Sequence, residues 1–191
     1  MKPTALFFGS FNPIHIGHLC VAEYMVEFGG MNEVWFIVSP QNPLKDKATL
    51  LSDYARFEMV QAAVGNDPRL RVSDIEFHMP RPSYTIDTLA RLSERYPDRQ
   101  FVLTGGTDIL IGFTKWKNHE QILAQYKLLL YPRHGSDNHP LTEHPSVTLI
   151  EAPRIEISAS FIRGAIKANK SIKYFLPESV YRIIDKYGYY L

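Results

Sequence analysis

Cysteine is nearly absent: Cys20 is the single thiol in 191 residues, so no internal disulfide framework can form and a reducing compartment is expected. Net charge is nearly absent too. With 21 Lys and Arg against 20 Asp and Glu the formal balance is +1, and no basic block stands out. Neither a nucleic-acid duplex nor an anionic membrane is therefore an expected partner, while a homo-oligomer stays open. No apolar run approaches the ~20 residues that span a bilayer. Met1-Lys2-Pro3-Thr4 leads straight into an apolar segment, leaving no signal-peptide pattern, and no internal repeat or low-complexity tract interrupts the chain. The expectation is a cytoplasmic protein with one domain over residues 1–191, long enough to bury one good core.

Against that plain background, one stretch carries chemistry: Gly9-Ser10-Phe11-Asn12-Pro13-Ile14-His15-Ile16-Gly17-His18. It follows the apolar run Ala5-Leu6-Phe7-Phe8, which reads as a buried strand, and it opens an amphipathic helix. A turn leaving a strand for a helix aims backbone N–H groups at whatever docks there, and the helix dipole favours an anion. Gly9 and Gly17 leave room for close approach, and Pro13 stiffens the turn. A helix beginning near His15 puts His15 and His18 on one face. Two imidazoles beside exposed N–H groups suit a polyphosphate. Metal chelation by His-x-x-His is the rival, but no nearby Cys, Asp or Glu offers a third ligand, and no protein-held metal is expected. Cys20 reads as a small buried apolar residue rather than a nucleophile.

The remaining chain alternates strand-like and helix-like runs. Helices are expected from His15 to Phe28, Ser52 to Val64, Thr85 to Tyr96, Ser158 or Ser160 to Ala168, and from Pro177 to Gly188. Short helices flank Trp116. Strands are expected at Leu6–Phe8, Val34–Val38, Leu70–Val72, Phe101–Leu103, Lys127–Tyr131 and Val147–Ile150, and the alternation at Ile75, Phe77 and Met79 reads as an extended segment. Strands separated by helix-length segments imply right-handed crossovers and a doubly wound, mostly parallel α/β sheet with a small C-terminal helical segment. Ligands of such a sheet sit beyond the carboxyl ends of its strands, where the Gly9 turn, the Pro40 loop and the Gly105 turn can line one crevice. His134, His139 and His144 lie five apart in a polar loop, a spacing that suits solvation better than a convergent metal site.

Near the end, Ile157-Ser158-Ala159-Ser160-Phe161-Ile162-Arg163 is a second phosphate-type element, with hydroxyls at a helix start and a guanidinium about one turn later. Alone it reads rather as an ordinary N-cap with a surface arginine, and its co-occurrence with the first stretch reverses that. Paired with the first stretch, it resembles the HxGH nucleotidyltransferases, whose second signature is of the I-S-S-T-x-x-R type. Further segments resemble the bacterial nicotinate-nucleotide adenylyltransferase family over nearly the whole chain. They are Ser39-Pro40-Gln41-Asn42-Pro43-Leu44-Lys45, Arg81-Pro82-Ser83-Tyr84-Thr85, Gly105-Gly106-Thr107-Asp108, Phe113-Thr114-Lys115-Trp116 and the ending Phe175-Leu176-Pro177 to Tyr187-Gly188-Tyr189-Tyr190. Asn12 stands where many members have Asp, Ala159 replaces the second Ser, and Ser160 keeps a hydroxyl in place of Thr.

The resemblance implies a Rossmann-like nucleotidyltransferase fold and a reaction in which nicotinate mononucleotide and ATP give deamido-NAD and pyrophosphate. The attacking group is the substrate's own phosphate, so positioning and charge neutralisation are needed rather than a nucleophilic side chain. It implies His18 as donor to the α-phosphate, His15 as a further phosphate holder, Lys45 reaching in from its loop, and Arg163 with Ser158 at the β,γ end. Gly9, Ser10, Phe11, Gly17 and Ser160 would complete the ATP turns, and Mg²⁺ would bridge phosphate oxygens without a protein cage. Gly106 and Asp108 would meet the nucleotide near its ribose or adenine, though Asp108 could instead cap a helix. For the acceptor, Trp116 would stack on the pyridine ring, in contrast to Trp35 in its apolar strand. Backbone N–H groups at Thr85 and Lys117 would take the nicotinate carboxylate, and Tyr84 is either a pocket wall or packing. The rivals are a pantetheine-phosphate adenylyltransferase, preference for nicotinamide mononucleotide, and an ATP-binding sensor without turnover.

Overall fold

The computed structural model describes residues 2–40, 50–136 and 138–191. In chain order the elements are β1 (Lys2–Gly9), α1 (Ile16–Glu27), β2 (Glu33–Val38), α2 (Asp53–Val64), β3 (Leu70–Ser73), α3 (Thr85–Arg95), β4 (Arg99–Gly106), α4 (His119–Gln125), β5 (Lys127–Tyr131), β6 (Val147–Leu149), α5 (Ala159–Lys167) and α6 (Glu178–Tyr187). The strands form one sheet in the order β3-β2-β1-β4-β5-β6, every neighbouring pair parallel. The central strands are apolar throughout because both their faces are covered. Ala5, Phe7, Phe36 and Val38 pack with residues of α1, α2, α5 and α6 on one face, while Leu6, Trp35, Ile37 and Leu103 pack with α3 and α4 on the other.

This strand order sets the position of the crevice. From β1 the chain winds outward through β2 to β3, then returns to β4 on the other side of β1. The carboxyl ends of β1 and β4 therefore flank the switch point, where a doubly wound sheet opens a ligand crevice. Gly9 and Gly106 stand at those two ends.

Local signals account for most boundaries. Ser52 caps α2 by accepting from the Ala55 N–H, and Ser158 caps α5 by accepting from the Phe161 N–H. Gly188 ends α6 in the left-handed conformation, at φ 62°. Two expectations fail. Ile75–His78 is a turn of 3₁₀ helix rather than an extended segment, because β3 has reached its end and the chain bends to carry Glu76 inward. Cys20 is exposed, because the inward stripe of α1 runs along Gly17, Val21, Ala22 and Met25 and passes it by. The loop histidines serve local turns: His139 Nδ1 accepts from the Leu141 N–H, and His144 Nδ1 pairs with the Ser146 hydroxyl. No helix among the described residues is long and apolar enough to cross a membrane.

Candidate active site

At the end of β1 the chain turns through a cis Asn12–Pro13 peptide into α1. His15 sits at the N-cap in extended conformation, one residue earlier than a helical position, and stacks on His18 with ring centroids 3.7 Å apart. The His15 backbone N–H donates to His18 Nδ1 at 3.2 Å. A ring nitrogen that accepts carries no proton, so neutral His18 holds its hydrogen on Nε2, the tautomer a phosphate-facing donor needs. Phe7 and Phe11 set their rings edge-on to His18, at 5.8 and 5.1 Å, which fixes its plane.

His15 is only 2 % exposed, and its buried Nδ1 has no hydrogen-bond partner among the described residues. Burial, assisted by the charge of Arg133, pulls its pKa down from 6.5 to about 4, so it is neutral near pH 7. A Cβ on Gly17 would come within 3.0 Å of His15 Nδ1, and one on Gly9 within 2.8 Å of the Phe11 ring. The two glycines thus make room for the rings that pack beside them. Phe11 is 2 % exposed at φ 45°, so its ring belongs to the core and it can offer a ligand only its backbone.

The far end of the chain closes on the same turn. Arg163, one turn into α5, donates to the Asn12 carbonyl at 2.7 Å and to Ser160 Oγ at 3.3 Å. The Tyr190 hydroxyl donates to Asn12 Oδ1 at 2.9 Å, and the Leu51 N–H donates to the same oxygen. Across the switch point, Gly106 keeps its α-carbon bare because a Cβ there would lie 2.3 Å from both Arg133 Cδ and Asp108 Oδ1. Asp108 stands in the 3₁₀ segment Thr107–Lys115, whose N-cap is Gly106, so it does not cap a helix. Lys45 lies outside the described residues. Among the described residues no group of three or more His, Cys, Asp or Glu could hold a metal ion.

The acceptor candidates form a second cluster. Tyr84 is the N-cap of α3, and Thr85 is its first residue. Trp116 is partly buried and tilts against Phe113, with centroids 5.2 Å apart. Lys117 joins the two segments, its Nζ lying 4.8 Å from the Tyr84 ring centroid and 2.8 Å from Asp87 Oδ2. Trp35 is 3 % exposed, inside the core.

Three residues near these clusters escape a reading from sequence. Arg56 is fully buried and donates to the carbonyls of Ser10, Ser39, Pro40 and Leu51 and to Asp53. It lies in phase with the buried Met59, Val60 and Val64 of α2, and a cation on an apolar stripe is the signal that could have found it. Arg133 follows β5 at the carboxyl edge, where its N–H donates to Thr107 Oγ1 at 2.9 Å. Tyr190 has no such local signal.

A family model described as "Cytidylyltransferase-like" matches residues 6–165. A protein of Cytophaga hutchinsonii named "Probable nicotinate-nucleotide adenylyltransferase" is 52 % identical over 185 residues, covering 97 % of this chain and 96 % of its own length. One of the same name from Bacteroides fragilis is 49 % identical, covering 95 % of this chain and 90 % of its own. Among solved structures, the nicotinic acid mononucleotide adenylyltransferase of Plasmodium falciparum, complexed with NaAD, superposes with a TM-score of 0.85 at 22 % identity. That match covers 100 % of this chain and 98 % of the other, and bears on the fold alone. With half its residues shared end to end with those bacterial relatives, the chain belongs to the nicotinate-nucleotide adenylyltransferase family of the cytidylyltransferase-like nucleotidyltransferases.

Proposed function

We propose that this protein transfers the adenylyl group of ATP to nicotinate mononucleotide, giving deamido-NAD and pyrophosphate. The observation that carries the reading is the meeting of Arg163 with the turn that holds the stacked His15–His18 pair, 151 positions earlier in the chain. Such a cradle of N–H donors, imidazole and guanidinium suits a triphosphate at the switch point.

The acceptor's phosphate oxygen attacks the α-phosphorus of ATP, and the bond to the β-phosphate oxygen breaks as pyrophosphate leaves. Both reacting groups are anionic, so the barrier falls through alignment and placed positive charge. His18 Nε2–H donates to the α-phosphate, whose charge grows in the transition state, while neutral His15 holds the His18 ring from below. Arg163, with Ser158 and Ser160, takes the β,γ end, and Gly9, Ser10 and Gly17 line the turn beneath. Mg²⁺ fits as a companion of ATP rather than as a resident ion, since the crevice offers cations and N–H groups; it would offset charge between phosphate oxygens. Lys45 would approach from its own segment. Gly106 and Asp108 receive the nucleotide ribose or adenine.

On the acceptor side Trp116 stacks on the pyridine ring, Tyr84 walls it, and the N–H groups of Thr85 and Lys117 take the carboxylate. We read residues 1–191 as one nucleotidyltransferase domain, working in the cytoplasm where ATP is drawn on. Pyrophosphate release should be measured with nicotinate and nicotinamide mononucleotides side by side. The expected result is turnover favouring the carboxylate form by at least ~10-fold in kcat/KM, about the discrimination one charged contact supports. Turnover with phosphopantetheine instead, or ATP binding without any turnover, would overturn the assignment.

A further inference from the structure

Glu76 is a buried carboxyl group with no part in the chemistry above. It sits on the 3₁₀ turn Ile75–His78, is 2 % exposed, and pairs with no Arg or Lys among the described residues. Two hydroxyls serve it instead. Ser83 Oγ donates to Oε2 at 2.9 Å and Thr88 Oγ1 donates to Oε1 at 2.8 Å. Burial outweighs the pull of these hydroxyls and leaves its pKa raised above the usual carboxylate value. An apolar residue would fill such a site at less cost, so a carboxylate here is doing something packing does not require.

The positions of its partners show what that is. Ser83 and Thr88 bracket Tyr84 and Thr85, the start of α3, and Thr88 Oγ1 also lies 3.3 Å from the Tyr84 carbonyl. The two carboxylate oxygens thus grip both sides of the backbone that offers its N–H to the acceptor. Ser39, at the end of β2, adds to the electrostatic surroundings of the same carboxyl group. Its N–H donates to the Gly9 carbonyl at 2.9 Å, and its own carbonyl accepts from Arg56 at 2.8 Å. Glu76 therefore holds the turn before α3 by two hydrogen bonds and stands close to the end of β2, which leads to the turn after β1.

We propose that Glu76 is a positioning residue for the acceptor: through Ser83 and Thr88 it sets the Tyr84–Thr85 backbone at a fixed height in the crevice. The inference rests on the acceptor reading given under Proposed function. Small misplacements of a bound reactant are costly to in-line transfer, which is why such a brace matters.

The test is a comparison of Glu76→Ala, Glu76→Gln and wild type by steady-state kinetics, calorimetric binding of nicotinate mononucleotide, and thermal melting. Glu76→Ala should raise the KM and Kd for the mononucleotide by about 10-fold or more while the KM for ATP stays within about 3-fold. Glu76→Gln should recover acceptor binding to within about 3-fold, since its oxygen accepts from one hydroxyl and its amide donates to the other. A residue that only supported the fold would lower the melting temperature and leave both KM values alone. That result, an equal rise in both KM values, or a Gln variant as impaired as Ala would overturn the proposal. Should the Ala variant not fold, Ser83→Ala and Thr88→Val remove one hydroxyl each and should raise the acceptor Kd by roughly 3-fold; no change in either is equally fatal. Wild-type protein that binds the mononucleotide but releases no pyrophosphate would end the adenylyl-transfer reading and leave this one to stand on the binding constants. Wild type that binds no mononucleotide would end both.

Discussion

Around the first turn the polar links come from far along the chain, from Arg56, Arg163 and Tyr190, and they end mainly on backbone carbonyls and on Asn12. Around Trp116 the links are side chain to side chain and open to water, as in the Lys117–Asp87 pair, whose members are each 43 % exposed. The contrast is physical. Buried guanidinium bonds to carbonyls leave no alternative partner, so the ATP turn is held rigid whether or not ligand is present. An exposed ion pair contributes under about 1 kcal/mol, so the acceptor wall is free to adjust unless something buried braces it. On the function proposed above, the half that would stabilise a developing charge is built in advance, while in the half that would accept a flat ring the Trp116 side is built more loosely than the braced Tyr84–Thr85 side.

Removing Arg56 should break the rigid half most severely. Arg56→Ala leaves several buried carbonyls without their donor and Asp53 with Arg81 alone, at a cost of about 3–5 kcal/mol, and should lower the melting temperature by roughly 10 °C. A melt within a degree or two of wild type would mean the network is ornamental. Acid offers a milder way in. The unfolded chain protonates His15 near pH 6.5 and the folded chain only near 4, so its contribution is complete above 6.5 and lost as pH falls toward 4. Denaturant unfolding should show up to about 3 kcal/mol going over that window, and His15→Asn should flatten it.

His18→Ala addresses chemistry rather than rigidity. It should reduce kcat by at least ~100-fold with little change in ATP affinity, the mark of a donor that acts in the transition state. Unchanged kcat would take that role from His18. In the looser half, Trp116→Ala should raise the acceptor KM by about 10-fold and leave the ATP KM nearly alone. Equal shifts in both would show that the two halves are not separable in the way the contacts imply.

The turn after β1 and the start of α1 were legible because their signals are local. Gly9, Gly17, His15 and His18 lie within one turn of chain, where spacing, strand and helix start constrain one another. Arg56 and Glu76 were not legible because their meaning lies in distant partners. Glu76 sits in an alternation, Ile75-Glu76-Phe77, that reads as a strand with the acid facing water, and one turn of 3₁₀ helix points it inward instead. Arg133 follows a strand that was recognised, yet its nearness to His15 depends on β5 lying beside β4.

The amino-acid order alone settled the alternation of strands and helices and the turns that open α1 and α5, because hydrophobic period, caps and glycine placement act over a few residues. Tertiary structure decided which distant groups meet. It brought Tyr190 and Arg163 onto Asn12, set Glu76 under Tyr84 and Thr85, and sealed Arg56 among carbonyls. Those contacts come from strand order and helix docking, which rest on summed burial across the whole chain, so that even the one local mark, a cation on the apolar stripe of α2, does not name its partners.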